Sequence, residues 1–479
     1  MMTHRGSARS GGSAMHCHLF HDVEGGALPS RRYDPAMSRR SFLRGAAMAV
    51  GAAAASPLIV PAHVLGADGA VSPSNRITIG VVGTGRQSAY ANIPGFLQEP
   101  DAQIVAVCDV DSWRMEKAKK QVEDFYAKQK GSGTFKGCAT FRDWRDLIAR
   151  KDIDAVMIAT PDHWHILMAM AALKAGKDVA CEKPLTRNIA EGRLLTDTVK
   201  KLGRVFRTDS EFRCNRACHQ AVTLVRNGKI GKLQRILTAT PKDNTIGPQP
   251  DMPVPAELDY EMWLGPAPQK PYTEKRVHPH HEDKGRPGWL MIRDYADGML
   301  ANWGAHLNDI AMWANDTEHT GPIEIEAAGK YPPAGNLWDV IQEFEAHFLF
   351  ANGVRLTCQT TGKPLMRFEG TEGWVQVVYP TEITASDEAL LTWKPGPTDI
   401  TFPLKKSEKR DFLDSVKSRQ PPMYTAEGGH RNASLSHLAL AAVDVGRKLK
   451  WDPVAEKAIG DDEANTLLQP KPQRAPWAL

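Results

Sequence analysis

From residue 76 the chain runs Arg76-Ile77-Thr78-Ile79-Gly80-Val81-Val82, an apolar, β-branched segment, straight into Gly83-Thr84-Gly85-Arg86-Gln87-Ser88. No other stretch limits the fold as tightly. A strand that ends in a glycine turn and leads into a helix opens a βαβ unit. The first glycine permits the tight bend. The second lets the backbone approach a pyrophosphate seated on the helix N-terminus. The third position needs only to be small, and Ser88 stands there instead of glycine.

A second strand, residues 104–108, ends in Asp109, 24 positions after Gly85. An acidic residue at that place can hold ribose hydroxyls. Asp109 also suits a helix cap. Asp111 or Ser112 then caps a helix with Met115, Ala118, Val122 and Phe125 on one face. As a ribose ligand Asp109 repels a 2′-phosphate, so the spacing favours NAD(H) over NADP(H), although Arg86 and Arg114 leave room for a phosphate. Gly83, Thr84, Gly85, Arg86 and Asp109 are the first expected cofactor contacts.

Residues 153–159 form another buried strand, with Thr160-Pro161-Asp162-His163-Trp164-His165 at its carboxyl end. His163 and His165 lack a third ligand nearby, so the segment reads as a loop lining the cofactor, with Thr160, Pro161 and His165 as contacts and no metal assigned. Helix 164–175 leads to the strand Val179-Ala180-Cys181 and then to Glu182-Lys183-Pro184. A lysine just past such a strand can hold the oxygen of a substrate alcohol or carbonyl beside a nicotinamide. Proline fixes φ there and removes a donor. With Val205-Phe206-Arg207 as a last strand, alternating strands and helices predict a doubly wound parallel sheet over residues 75–207.

After residue 207 the pattern changes. A helix is expected over 217–227, a turn over 228–231 and a strand over 234–240. Residues 241–298 are rich in proline, glycine, histidine and charge, and read as long loops. There His278, His280, His281, Glu282 and Asp283 gather without regular spacing, which reads as a polar loop. Strands over 323–328, 340–350, 353–361 and 373–379 follow without intervening helices, as in an antiparallel sheet. A helix over 426–449 and an irregular tail over 451–479 complete the second domain, 208–450, and the C-terminus. Within it, helical geometry in Leu300-Ala301-Asn302-Trp303-Gly304-Ala305-His306-Leu307-Asn308-Asp309 puts Asn302 on one face with His306 and with Asp309. His306 titrates near neutral pH and can accept a hydroxyl proton while hydride leaves the same carbon.

The first 74 residues stand apart. Residues 1–36 lack periodicity and read as disordered. Met37, a candidate natural start, opens Ser38-Arg39-Arg40-Ser41-Phe42-Leu43-Arg44 and an apolar run over 46–60. Together these match a twin-arginine export signal, with cleavage expected near Ala67. The run is too short to span a bilayer comfortably. The expected partner is the twin-arginine export machinery, and the expected location the periplasm. The near-balance of 60 basic and 56 acidic residues gives no reason to invoke nucleic acid or an anionic membrane. Seven cysteines are too few for a disulfide scaffold in 479 residues, and Cys214 and Cys218 lack the second pair a zinc site needs.

Taken in order, Gly83-Thr84-Gly85, Cys108-Asp109-Val110-Asp111, Thr160-Pro161-Asp162-His163-Trp164-His165, Glu182-Lys183-Pro184 and Trp303-Gly304-Ala305-His306 with Asp309 resemble the Gfo/Idh/MocA family. The resemblance covers about residues 75–470, and is closest to the exported, twin-arginine branch. It implies a Rossmann domain plus an α/β domain with an open-faced, mostly antiparallel sheet that often mediates homo-oligomers. It also implies NAD(H)-dependent hydride transfer on a sugar, polyol or glycoside, with a redox-neutral NAD-dependent glycosidase or lyase and a non-catalytic sugar-binding protein as alternatives. Lys183 matches the family's lysine, His306 its histidine, and Glu182 the residue before the lysine. The family's aspartate stands four residues before the histidine, where this chain has Asn302. An amide can orient a ring but cannot stabilise an imidazolium as a carboxylate does. Asp297 and Asp309 are the nearby candidates for that charge.

Overall fold

The computed structural model describes residues 75–130, 135–282 and 284–477. The leader, the twin-arginine segment and Asp283 lie outside the described residues. The strand before the glycine turn, β1 (Ile77–Val82), is buried along almost its whole length. A strand covered on both faces needs such a continuous apolar run. It pairs in parallel with β2 (Ala102–Cys108) and with β4 (Ala155–Ile158). β3 (Ala139–Phe141), β5 (Asp178–Glu182) and β6 (Phe206–Asp209) extend the sheet to the order β3-β2-β1-β4-β5-β6, parallel throughout. The three-residue β3 has no counterpart in the sequence reading, because it is too short to show a period. Helices Ser112–Lys130, Trp144–Ala149, His165–Lys174 and Ile189–Leu202 connect the strands. The chain order reverses between β1 and β4, and a crevice opens outside the carboxyl ends of the strands at such a switch.

The second sheet has nine strands: β7 (Leu233–Thr240), β8 (Pro322–Lys330), β9 (Glu343–Phe350), β10 (Arg355–Thr360), β11 (Leu365–Gly370), β12 (Trp374–Val378), β13 (Glu382–Ala385), β14 (Leu449–Asp452) and β15 (Lys457–Ala458). Their order is β13-β12-β11-β7-β10-β9-β8-β14-β15. Only β7 and β10 run parallel among these pairs. β9 and β12 bury every second residue, so one face carries the core and the other is open. Helices Arg216–Arg226, Gly304–Ala314 and Ala426–Val445 share a core with the buried face.

Some expectations shift. β11 and β13 occupy segments read without strands. The C-terminal helix stops at Val445, where Gly446 takes a left-handed φ of 66°. The tail after residue 451 is not irregular throughout, since it carries β15 and the helix Asp462–Leu467. The segment around Asn302 is two helices, Gly298–Asn302 and Gly304–Ala314, joined at Trp303. The helix Glu408–Ser418 returns to the first domain, with Phe412 and Leu413 in the same core as Ile79 and Phe96. All six cysteines among the described residues are free, and no helix among them is long and apolar enough to cross a membrane.

Candidate active site

A cavity of about 350 Å³ opens over the carboxyl ends of the parallel strands. Gly83, Gly85, Arg86, Asp109, Thr160, Pro161, Glu182 and Lys183 line it from the first domain, and Asn302, His306 and Tyr379 from the second. The two glycines differ. Gly83 has φ 86°, and a Cβ there would lie 2.5 Å from the Ala159 carbonyl oxygen. Only glycine lets β1 and β4 approach so closely there. A Cβ on Gly85 would meet nothing within 4 Å, so its bare backbone edge faces open space in the cavity wall.

Asp109 is aimed by its neighbours. The Thr84 amide and hydroxyl donate to Asp109 Oδ2 at 2.6 and 2.9 Å, and the Asp111 amide donates to Oδ1 at 2.9 Å. Thr84 is therefore buried against Asp109 and does not reach the cavity. Its side chain, expected as a cofactor contact, instead holds the Asp109 carboxylate in place. Thr160 Oγ1 is buried without a hydrogen-bond partner among the described residues. The bare edge at Gly85, the unsatisfied Thr160 hydroxyl and the fixed Asp109 carboxylate are the features a dinucleotide needs along this wall.

His165, also expected as a cofactor contact, lies behind the cavity wall. It is 1% exposed, and its Nδ1 and Nε2 lie 2.9 Å from the Pro184 carbonyl and 3.0 Å from the Thr160 carbonyl. Burial pushes its pKa down to about 4, so the neutral ring donates to one carbonyl at a time. His165 is a strut between the β4 loop and the Lys183 loop, and does not line the cavity.

Around Lys183 the charges are crowded. Glu182 accepts a hydrogen bond from Asn92 Nδ2 at 3.1 Å, and Asn92 Oδ1 accepts one from Lys409 Nζ at 2.7 Å. Burial raises the Glu182 pKa, helped by Asp209 and opposed by Lys183 and Lys409. Asp162 is pushed up to about 8 by burial, against the pull of Arg187 and Lys183.

His306 projects from the helix Gly304–Ala314. Its Nδ1 is hydrogen-bonded to Ser210 Oγ at 2.7 Å, and its ring stacks on Phe212 at 4.5 Å. Phe212 stacks in turn on Tyr379 at 4.8 Å. Burial lowers the His306 pKa well below the usual imidazole value, Lys183 lowers it further and Asp209 opposes. Neither candidate carboxylate reaches the ring. Asp297 is paired with Arg187 at 3.1 Å, and Asp309 with Arg213 at 2.6 Å. Glu211 stands there instead, with Oε2 3.8 Å from His306 Nδ1. Glu211, Tyr379 and Lys409 carry no local pattern by which the sequence could announce them.

The fold and cleft define a class: a dinucleotide-type parallel sheet whose mouth is closed by an open-faced α/β domain. The chain belongs to the Gfo/Idh/MocA oxidoreductase family. The oxidoreductase family's NAD-binding Rossmann fold matches residues 77–210, and its C-terminal α/β domain matches residues 204–479. A glycosyl hydrolase family 109 protein of Shewanella sp. (strain ANA-3) is 31% identical over 207 residues, 41% of this chain and 44% of that protein. The chain thus matches less than half the length of that relative. A myo-inositol 2-dehydrogenase of Thermotoga maritima is 29% identical over 78% of this chain and 99% of its own. The solved structure of a levoglucosan dehydrogenase in complex with NADH and L-sorbose superposes with a TM-score of 0.56 at 20% identity, over 78% of this chain and 99% of that one. At that identity the likeness is one of fold.

Proposed function

We propose that the protein is an NAD(H)-dependent oxidoreductase that transfers hydride to or from a sugar, polyol or glycoside. The observation that carries this is the convergence of Lys183 and His306 on one cavity whose other wall is formed by Gly83, Gly85, Asp109 and Thr160. Those four residues would hold NAD, which supplies the hydride acceptor when bound. Lys183 holds the substrate oxygen with its ammonium and stabilises negative charge developing there. In the tautomer whose Nδ1–H donates to Ser210 Oγ, Nε2 is left to take the hydroxyl proton. Burial keeps the ring neutral at pH 7, the form a base requires. The inositol and levoglucosan dehydrogenases among the relatives support a polyhydroxylated substrate.

The test is a Lys183→Ala variant that still binds NAD, assayed against a panel of sugars and polyols. Loss of about a hundredfold or more in turnover is expected; wild-type turnover would rule the mechanism out.

A second reading keeps the same residues but uses the oxidation transiently: the oxidised sugar would lose its aglycone as an alcohol by elimination, take up water and regain the hydride before product leaves, for net hydrolysis of the glycoside. The family 109 glycosyl hydrolases among the relatives favour it. So does the Arg39-Arg40 segment, which supports export in folded form to the periplasm. A cofactor carried out of the cytoplasm meets no NAD pool and must be regenerated in place. Monosaccharides formed without net absorbance change at the nicotinamide band would select this reading; stoichiometric NADH would select the first. Fractionation of cells tests the location. Light scattering tests the homo-oligomer that the open face of the nine-stranded sheet supports.

A further inference from the structure

Two loops meet over the start of the helix Ser112–Lys130, and three ligand-type side chains meet with them. Glu257, His280 and His281 bring one carboxylate oxygen and two imidazole nitrogens within 4.8 Å of one another. The sequence shows the two histidines but not the carboxylate, which arrives from 23 residues earlier in the chain.

The backbone under each group is held. The Glu257 carbonyl accepts from the Ser112 amide at 3.0 Å and from Arg142 at 3.2 Å. The His280 amide donates to Glu274 at 2.9 Å. The Arg114 guanidinium donates to the carbonyls of Pro279 and Glu282 at 2.9 and 2.8 Å, on either side of the two histidines. His281 sits at φ 51°, a left-handed conformation uncommon outside glycine. Its ring stacks on Trp113 at 5.1 Å and on His280 at 3.8 Å.

Among the described residues the three side chains make no hydrogen bond. The contact between His281 Nε2 and Glu257 Oε1 is 3.7 Å, too long for a hydrogen bond. Two imidazoles and one carboxylate form an N₂O set, which suits zinc, nickel or copper. Magnesium and calcium prefer all-oxygen sites. Tetrahedral zinc needs ligand atoms about 3.3 Å apart. Closing from 4.8 Å is within the swing of side chains as exposed as these, 44% for His281 and 38% for Glu257. Three protein ligands leave water as the fourth ligand of tetrahedral zinc.

We infer that Glu257, His280 and His281 form a three-ligand site for a divalent cation of the zinc class. The inference does not rest on the cofactor reading. His278, Pro279 and Glu282 of the same loop line the main cavity, so ligation would tie that wall to the residue 257 loop.

The experiment uses the purified full chain, stripped with a chelator and desalted. Zinc chloride is titrated by calorimetry, and copper(II) chloride by tryptophan fluorescence, since Trp113 lies under His281. One equivalent should bind with micromolar affinity and raise the melting temperature, while magnesium chloride gives neither effect. The chain holds 16 histidines, so variants assign the site. His280→Asn, His281→Asn and Glu257→Gln should each weaken zinc at least about tenfold without moving the metal-free melting temperature. Trp113→Phe should remove the copper quenching and keep the zinc heat. Affinity weaker than millimolar, or affinity unchanged by any one of the three ligand substitutions, overturns the site.

Discussion

Glu211 Oε2 lies 3.8 Å from Nδ1 of His306, the nitrogen that Ser210 Oγ also meets at 2.7 Å. The family's carboxylate position holds Asn302, so negative charge reaches the histidine from Asp209 at the end of β6 and Glu211 just after it rather than from its own helical segment. Two unit charges at 4 Å interact by about 1 kcal/mol in water and about 4 kcal/mol near a protein surface. Glu211 is 45% exposed in its side chain, which argues for the lower end. The sign follows from the base's role. As the proposed base, His306 works when neutral, and a carboxylate favours its protonated form. Glu211→Gln should move the acid limb of kcat/KM to lower pH and reduce kcat/KM about three- to tenfold. Asn302→Asp should move the limb to higher pH. Profiles that do not move, measured with the best polyol from the substrate panel, would sever Glu211 from His306.

The two cavity glycines separate folding from cofactor binding. Gly83→Ala meets both a left-handed φ and the Ala159 carbonyl. It should cost about 1–3 kcal/mol from backbone strain alone, seen as a lower melting temperature in the free protein. Gly85→Ala adds a methyl group to open space and should leave that temperature unchanged. It should still weaken NAD at least about tenfold in calorimetry, because the methyl occupies the edge a pyrophosphate must approach. Undiminished NAD affinity in Gly85→Ala would place the cofactor elsewhere.

Buried titratable groups give the fold opposing pH slopes. His163, His165 and His437 are held near 3, 4 and 4 by burial. The unfolded chain protonates them near 6.5, so stability should fall as pH drops from about 6.5 towards 4. Asp162 has the reverse sign. Its pKa is raised to about 8 by burial, so the folded chain keeps a proton that the unfolded chain sheds near 3.9. Its cost grows as pH rises from about 4 to 8 and is complete above that. Asp162→Asn, neutral at every pH, should raise the melting temperature of the free protein by an amount that is small at pH 4.5 and largest at pH 8.5. A gain that does not depend on pH would mean that Asp162 is ionised in the fold.

Much of the scaffold was legible because the parallel strands are covered on both faces. Ile77 to Val82 must then be continuously apolar, and continuous apolar runs announce themselves. β3 and β13 are short edge strands, and β11 lies inside the sheet between β12 and β7; their pairing comes from their neighbours. The site divided along the same line. Gly83, Asp109 and Lys183 sit at strand ends, where position alone implies a task. His165 and Thr84 sit beside those ends with their side chains buried outside the cavity lining, because burial decides whether a polar side chain faces the cavity or braces the residue that does. Glu211, Tyr379, Lys409 and Glu257 reach their places through tertiary contacts between distant segments, and no local period records such contacts.

Lys409 is the most consequential of these. Arg207, fully buried, donates to Asp411 at 2.9 Å and to Asp209 at 3.2 Å. Lys409, 1% exposed, pairs with the same Asp209 and donates to Asn92 at 2.7 Å. Asn92 in turn donates to Glu182, beside Lys183. A chain of buried charged and polar groups therefore runs from the helix Glu408–Ser418 to the Lys183 loop. Such a chain is costly to break at one point, because the remaining partner is left charged and dry. Lys409→Met should destabilise the fold by about 3–5 kcal/mol in urea unfolding. Adding Asp209→Asn should recover part of that loss, since Arg207 then balances Asp411 alone and no longer two buried carboxylates. The double-mutant cycle measures the pair directly. Additive losses, with no recovery in the double variant, would show that Lys409 acts through packing and not through Asp209.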